Sequence, residues 1–338
     1  MLFVNLWAIV GLVLILPFTV HAVERNLEVF LLACGAVAVS VAGGWSGPLV
    51  HEALREPVPI TLAVLGAGLL FHFGRKPLDR LLAGLLHVVP LPIFLFGSVV
   101  ALGLLSSVVT AIIAALVLVE IVTALPLARE QEVRFTVITC FAIGLGAALT
   151  PVGEPLSTIV VARLHTDFWA LARLLGGWIV PGVVILGLLA AMIGRSGGSR
   201  TLKDRGGKER LSEVWIRGVK VYAFVAALLL LGTGLAPLVD RFIAPLPSPL
   251  LFWVNMISAI LDNATLAAAE ISPTMEPRQV SAVLLGLLIS GGMLIPGNIP
   301  NIVAAGHLKI TSREWARDGV PLGLVLMTGG FLAWLAAG

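Results

Sequence analysis

The stretch Ile295-Pro296-Gly297-Asn298-Ile299-Pro300 interrupts an apolar run, and Thr150-Pro151-Val152-Gly153-Glu154-Pro155 interrupts another one earlier in the chain. Proline lacks the backbone N–H that a helix needs and glycine is a weak helix former, so each stretch predicts a break inside an apolar helix. Lipid cannot hydrogen-bond the backbone groups that such a break frees, so they must face protein or a water-filled cavity. The two stretches therefore predict a pair of broken helices around a polar space.

The segments around the two breaks resemble each other in the order of their features. Ser107 lies thirteen residues before Glu120-Ile121, and Ser258 lies twelve residues before Glu270-Ile271. Each break is followed by an Ile-Val pair and then by a polar turn that leads to tryptophan. Four matches in the same order predict an internal repeat. Interrupted helices at corresponding places in two halves indicate the binding site of a transporter.

The composition predicts an all-α polytopic membrane protein. Of the 338 residues, 58% are hydrophobic and 12% are charged, whereas soluble proteins carry about 25% charged residues. A membrane-spanning helix needs about 20 apolar residues. The candidate spans are 3–20, 27–44, 57–73, 81–100, 135–164 with its break, 168–193, 214–236, 280–308 with its break, and 319–337. Two more apolar stretches, 104–127 and 250–272, predict hairpins that dip into the membrane, although plain spans also fit them.

Residues 194–213 are the one change in composition along the chain. They contain six lysines and arginines among several glycines. This pattern predicts a flexible, basic cytoplasmic linker that meets anionic lipid head groups and does not bind nucleic acid. The loop with Arg75, Lys76 and Arg80 would then lie outside the cell, against the usual distribution of basic residues.

Four acidic residues fall inside apolar stretches, where an ionised carboxylate costs several kcal/mol. Glu154 lies in the first break, and Asp262 lies near the middle of the second predicted hairpin. Both are predicted to reach a shared site near the middle of the membrane and to act there as transient ligands of a sodium ion or a similar cation. Glu120 and Glu270 occupy equivalent places in the repeat, where a binding role and a structural role both fit.

Neutral polar side chains beside the breaks could complete the site with amide and hydroxyl oxygens. The candidates are Thr150, Ser157, Asn263, Thr265, Asn298 and Asn301, with Ser107 and Ser258 as secondary candidates. Hydroxyl groups are also common where membrane helices pack, so each has a structural alternative. We expect no cofactor and no enzymatic activity, because the sequence shows no nucleophile–base pair and no metal cluster. Gly194–Gly198 matches G-x-S-x-G, but only inside the basic linker, without the strand that a nucleophile elbow requires.

At these residues the sequence resembles the ion transporter superfamily, most closely the sodium/proton antiporters of the NhaD type. Ser258-Ala259-Ile260-Leu261-Asp262-Asn263 is similar to the Ser-Ala-x-x-Asp-Asn hairpin of that branch. Leu294–Asn298 resembles its second proline-glycine break, and Leu149–Pro155 resembles the first. The first hairpin departs from the pattern, since 106–110 contains no Asp-Asn pair. The resemblance implies an inverted-repeat transporter fold with two re-entrant hairpins and two broken helices, and a homodimer.

We therefore expect a secondary-active ion transporter, with a small inorganic ion, protons and membrane lipids as its partners. Cation/proton antiport is the main expectation, because an acid in a poorly solvated site can exchange a proton for a cation. An anion carrier for a dicarboxylate, arsenite or a similar substrate is the alternative. The chain divides into scaffold helices in 1–80, a transport repeat in 81–193, the basic linker in 194–213 and a second transport repeat in 214–338. We expect the protein to lie in the prokaryotic inner membrane.

Overall fold

The computed structural model describes residues 1–20, 22–23, 26–62, 64–66, 69, 84, 88–194, 211–243, 246–261, 263–271 and 274–337. Within these ranges every regular element is helical. Four helices there are long and apolar enough to cross a membrane: Leu91–Val109, Ala170–Gly194, Gly218–Phe242 and Ser312–Ala336. Helices suit lipid because each satisfies its own backbone hydrogen bonds. The protein is thus an all-α, membrane-embedded protein.

The described helices fall into three consecutive parts of the chain. The N-terminal part contains α1 (Leu2–Thr19), α2 (Leu27–Ala42) and α3 (Gly47–Arg55). Next come α4 (Leu91–Val109), α5 (Ala111–Ala124), α6 (Arg129–Ala147), α7 (Pro155–Arg163) and α8 (Ala170–Gly194). The rest of the chain contains α9 (Leu211–Leu238), α10 (Ser248–Val254), α11 (Asn263–Glu270), α12 (Pro277–Gly291), α13 (Ile299–Leu308) and α14 (Ser312–Ala336). The basic residues of the predicted linker, 195–210, lie outside the described residues.

The helix boundary in the region of the first predicted hairpin differs from the expectation. The sequence predicted a span ending near residue 100 and a hairpin over 104–127, but α4 runs without interruption from Leu91 to Val109. No proline lies between residues 93 and 109 to end the helix. The turn comes at Thr110, whose φ of 81° is outside the helical range, and α5 begins at the next residue.

Both predicted breaks are present, and the residue that precedes each second half-helix is extended. Glu154 has φ −156° and ψ 160°, and Asn298 has φ −155° and ψ 146°. A Cβ atom on Gly153 would lie 2.0 Å from Ala147 O, and one on Gly297 would lie 2.5 Å from Gly291 O. Only glycine allows the chain to fold back this closely on the end of the preceding helix.

The half-helices pack crosswise, which here means that each one contacts a helix from the other part of the chain. Helix α7, which follows the first break, packs against α11, and α13, which follows the second break, packs against α5. At one end of the bundle, the Arg129 guanidinium donates to Leu308 O and Lys309 O, both at 2.9 Å, and pairs with Glu314 at 2.7 Å. The two parts therefore form one packed unit around the breaks.

Helices α2 and α9 pack closely as a pair, and α3 is attached to them. Cβ atoms added to Gly35 or Gly234 would lie 2.8 Å or less from atoms of the opposite helix, so small residues set this contact. Leu49 of α3 is buried against the pair. The Tyr222 hydroxyl of α9 donates to Leu54 O at 2.8 Å. The end of α3 is thereby held at a fixed place on the bundle.

Candidate functional site

A cavity of about 460 Å³ lies where the two breaks meet the turns that precede α5 and α11. Its lining consists of Glu56, 110–112, 151–155, Thr158, Ile159, Asn263, Ala264, Asn298 and Ile299. These segments are far apart in sequence, and the crosswise packing of the half-helices brings them together. The breaks thus face a cavity, as lipid-embedded backbone of this kind requires.

Within the described ranges, four helices begin at this cavity. The first residues of α5, α7, α11 and α13 are Ala111, Pro155, Asn263 and Ile299, and each of them lines it. The first amides of a helix have no partner within the helix, and the aligned peptide dipoles place roughly half a positive charge at this end. Four such ends around one space favour negative charge there, whether it belongs to a side chain or to a ligand.

Three of the predicted binding residues line this cavity together. Glu154, Asn263 and Asn298 are 7%, 3% and 4% exposed. Asn298 reaches across from the second break to α6, since a Cβ atom on Gly144 would lie 2.6 Å from its Nδ2 atom. The Asn263 Nδ2 atom is buried and has no hydrogen-bond partner within the described part of the chain. The lining of the cavity therefore contains a carboxylate and two amides.

Thr150 and Asn301, also predicted to bind the ion, support the breaks in the structure. The Thr150 hydroxyl donates to Ser107 O at 2.5 Å, which joins the first break to the end of α4. The Asn301 amide donates to Gly291 O at 2.8 Å and to Leu294 O at 2.9 Å. These bonds satisfy carbonyl groups that the second break would otherwise leave without a donor. Neither residue lines the cavity, so their role as ion ligands stays a prediction.

The predicted serines lie deep in the helix packing. The Ser258 hydroxyl donates to Leu287 O at 3.3 Å, and the Ser107 hydroxyl donates to Leu104 O of its own helix at 2.7 Å. Ser157 is fully buried, and its hydroxyl has no hydrogen-bond partner within the described ranges. The Ser258 bond joins its segment to α12, the Ser107 bond stays within α4, and Ser157 lies in the first turn of α7.

The two secondary acidic candidates lie outside the cavity lining. Glu120 is buried in α5, with 8% of its surface exposed. Glu270 is 4% exposed at the end of α11, and its Oε2 atom accepts a hydrogen bond of 3.0 Å from the Asn255 amide. Asp262 lies outside the described residues, as does the side chain of Thr265. In the sequence Asp262 directly precedes Asn263, the first residue of α11.

The structure adds three polar residues that the sequence analysis did not single out: Glu56, Thr110 and Thr158. Glu56 follows α3 in a charged segment, so nothing in the sequence separates it from an ordinary surface acid. Thr110 could have been found from spacing, because it follows Ser106 by four positions in the sequence, as Asp262 follows Ser258. A positive φ at a β-branched residue is rare and often marks a functional site.

Comparison with known families finds one match that covers nearly the whole chain. The matching family is described as "Protein of unknown function (DUF1646)", and the match extends over residues 3–335. All cavity-lining residues fall within it. A search of curated proteins found no match. Because the match covers far more than half of the sequence, this chain belongs to the DUF1646 family.

Proposed function

We propose that the protein is a secondary-active transporter that exchanges a small cation, such as sodium, for protons across the cell membrane. The observation that carries the proposal is the charge of the cavity. Among the described residues that line it, the charged side chains are the carboxylates of Glu154 and Glu56. Asp262, predicted beside Asn263, would add a third carboxylate. Acidic groups in a cavity between broken helices attract cations and disfavour free anions.

The chemistry follows from the burial of Glu154. An ionised carboxylate held away from bulk water is costly, and either a proton or a metal cation can neutralise it. The two ligands therefore compete for one negative charge, which is the basis of exchange. Amide oxygens of Asn263 and Asn298 are suitable neutral ligands for a hard cation that has lost part of its water shell.

For the architecture we propose two inverted transport repeats joined by the basic linker. The extended conformations of Glu154 and Asn298 support it, as does the crosswise packing of α7 with α11 and of α13 with α5. The first halves of the broken helices also begin alike. The Gln131 side chain accepts from Ala128 N at 3.1 Å, and the Gln279 side chain accepts from Glu276 N at 3.0 Å. In this proposal, movement of the repeats exposes the cavity to each side of the membrane in turn.

An anion carrier is the second candidate, and the four helix N-termini at the cavity favour it. Such termini bind carboxylate and oxyanion groups in many proteins. A dicarboxylate or arsenite would then need sodium ions or protons to screen Glu154. The cation proposal accounts for the same termini differently, because they stabilise the carboxylate of Glu154 at the start of α7.

The deciding experiment measures ion-dependent proton movement with purified protein in liposomes. A pH gradient is established and reported by a fluorescent dye, and sodium, lithium, potassium or calcium is then added in separate runs. Cation-dependent loss of the gradient, absent from protein-free liposomes, is the expected result. No response to any cation, together with sodium- or proton-driven uptake of a labelled dicarboxylate or arsenite, would replace the cation proposal with the anion carrier. Homodimerisation is expected and would be checked by mass measurement in detergent.

A further inference from the structure

Glu56 stands apart from the other polar residues of the cavity because it belongs to the N-terminal part of the chain. It follows the last residue of α3, and its N–H donates to Glu52 O at 2.8 Å. Its side chain is exposed, whereas Glu154 across the cavity is 7% exposed. The cavity therefore has a buried acid in its interior and an accessible acid at the molecular surface.

We propose that Glu56 forms an outer binding position, where a cation that keeps part of its water shell is held before it reaches Glu154. This inference rests on the proposed function and adds a residue to it that lies outside both repeats. An exposed carboxylate holds a hydrated cation weakly and releases it readily, whereas a buried carboxylate demands loss of water. Glu56 thus captures the hydrated cation, and Glu154 binds it after it has lost part of its water shell.

A second observation indicates that a ligand with polar oxygens belongs in this space. Asn263 lines the same cavity and is 3% exposed, and its Nδ2 atom has no hydrogen-bond partner in the described part of the chain. A buried amide N–H without an acceptor costs about 1–3 kcal/mol. The water shell of a partly hydrated cation offers oxygen acceptors to this group, for which the described residues of the lining provide none.

The attachment of α3 makes the outer position act on one side of the membrane only. Leu49 and the Tyr222–Leu54 bond fix α3 to the α2–α9 pair, while Glu154 and Asn298 lie in the broken helices. Helix α9 was assigned to the second repeat from the sequence, but it packs closely on α2 of the scaffold, so in this inference it stays with α2. When the broken helices turn the cavity toward the opposite side, Glu56 therefore stays with α2 and α9. Cations that arrive from the opposite side then bind without its help.

The test measures cation-dependent exchange in liposomes, with the apparent KM determined separately from each side of the membrane. Oriented reconstitution, or inhibition of one population with an impermeant reagent, separates the sides. Glu56→Gln should raise the apparent KM for the cation about fivefold from one side, as expected for the loss of one charge at close range in a water-filled cleft. The KM from the other side and the maximal rate should stay within about twofold.

Glu52→Gln is the matched control, since Glu52 is exposed one turn earlier on the same helix and does not line the cavity. It should leave both KM values unchanged, and Glu56→Asp should keep most of the wild-type affinity. Glu56→Ser serves as a second neutral variant in case Glu56→Gln fails to fold. Unchanged KM values in the neutral variants, equal changes on both sides, or an equal effect of Glu52→Gln would each overturn the inference. An active wild type shows that such a failure concerns Glu56 alone, whereas an inactive wild type overturns the proposed function with it.

Discussion

Glu154 is the residue on which exchange should depend most strongly. It precedes α7 at the first break, lines the cavity and is buried. Glu154→Gln keeps the size of the side chain but removes the charge for which cation and proton compete. We expect cation-dependent proton movement in liposomes to fall to less than about a tenth of the wild-type rate, since removal of a buried charged ligand typically costs at least several-fold in affinity. Asp262→Asn should have the same effect.

The control for this prediction is Glu120→Gln, the same chemical change at a buried acid that does not line the cavity. That variant should exchange cations within about twofold of the wild type. If Asp262→Asn exchanges cations for protons at the wild-type rate, Glu154 alone provides the charge for which cation and proton compete. If Glu154→Gln and Asp262→Asn both exchange at the wild-type rate, the cation mechanism is contradicted and the anion carrier is favoured.

At this scale the sequence predicts the buried part of the cavity better than its mouth. An acid inside an apolar run is conspicuous because it is costly there, and this reasoning identified Glu154. Asn263 and Asn298 were identified separately, as neutral polar residues beside the predicted breaks. Glu56 gives no such signal. It lines the cavity only because α3 is fixed to α2 and α9 by contacts between residues far apart in sequence.

At the scale of the helices, the geometry of the breaks depends on two glycines. Gly153→Ala would place a methyl group 2.0 Å from Ala147 O, and backbone atoms cannot move aside as a flexible side chain could. We expect a loss of at least about 3 kcal/mol in stability, near the upper end for overpacked sites. Gly297→Ala, with its contact of 2.5 Å to Gly291 O, should follow the same direction. Thermal unfolding in detergent, monitored by tryptophan fluorescence, measures both.

The matched substitution is Gly176→Ala in α8, where an added Cβ atom meets nothing within 4 Å. Alanine is the better helix former, so this variant should unfold at the wild-type temperature or slightly above it. Equal stability of Gly153→Ala and Gly176→Ala would show that the chain does not fold back on α6 as described.

The sequence predicts the helix breaks well because proline and glycine act locally, through the missing N–H and the missing Cβ atom. It predicts the boundary between α4 and α5 poorly. Thr110 is an ordinary β-branched residue in an apolar segment, and its positive φ arises from the surrounding packing, including the bond of 2.9 Å from Ala111 N to Gly153 O. A turn that depends on tertiary contacts leaves no local signature.

At the scale of the whole molecule, neither half of the chain can complete the cavity. Helix α7 packs against α11 and α13 packs against α5, so each break is covered by helices from the other half. Chains cut within residues 195–210 should therefore fail to accumulate when expressed singly, because an uncovered break exposes backbone polar groups to lipid. Expressed together, the two fragments should assemble and regain exchange. Stable accumulation of the first fragment alone, measured by immunoblot of membranes, would contradict this dependence.

The packing of α7 against α11 also means that the first break is synthesised well before the helix that covers it. Helix α7 ends at Arg163 and its partner α11 begins at Asn263, so 99 residues lie between them along the chain. A ribosome adds about 5–20 residues per second, so roughly 5–20 s pass between the two. During that interval the nascent first break has its polar backbone in place before its cover exists. The insertion machinery, or water that it admits, must shelter this segment until the second half arrives.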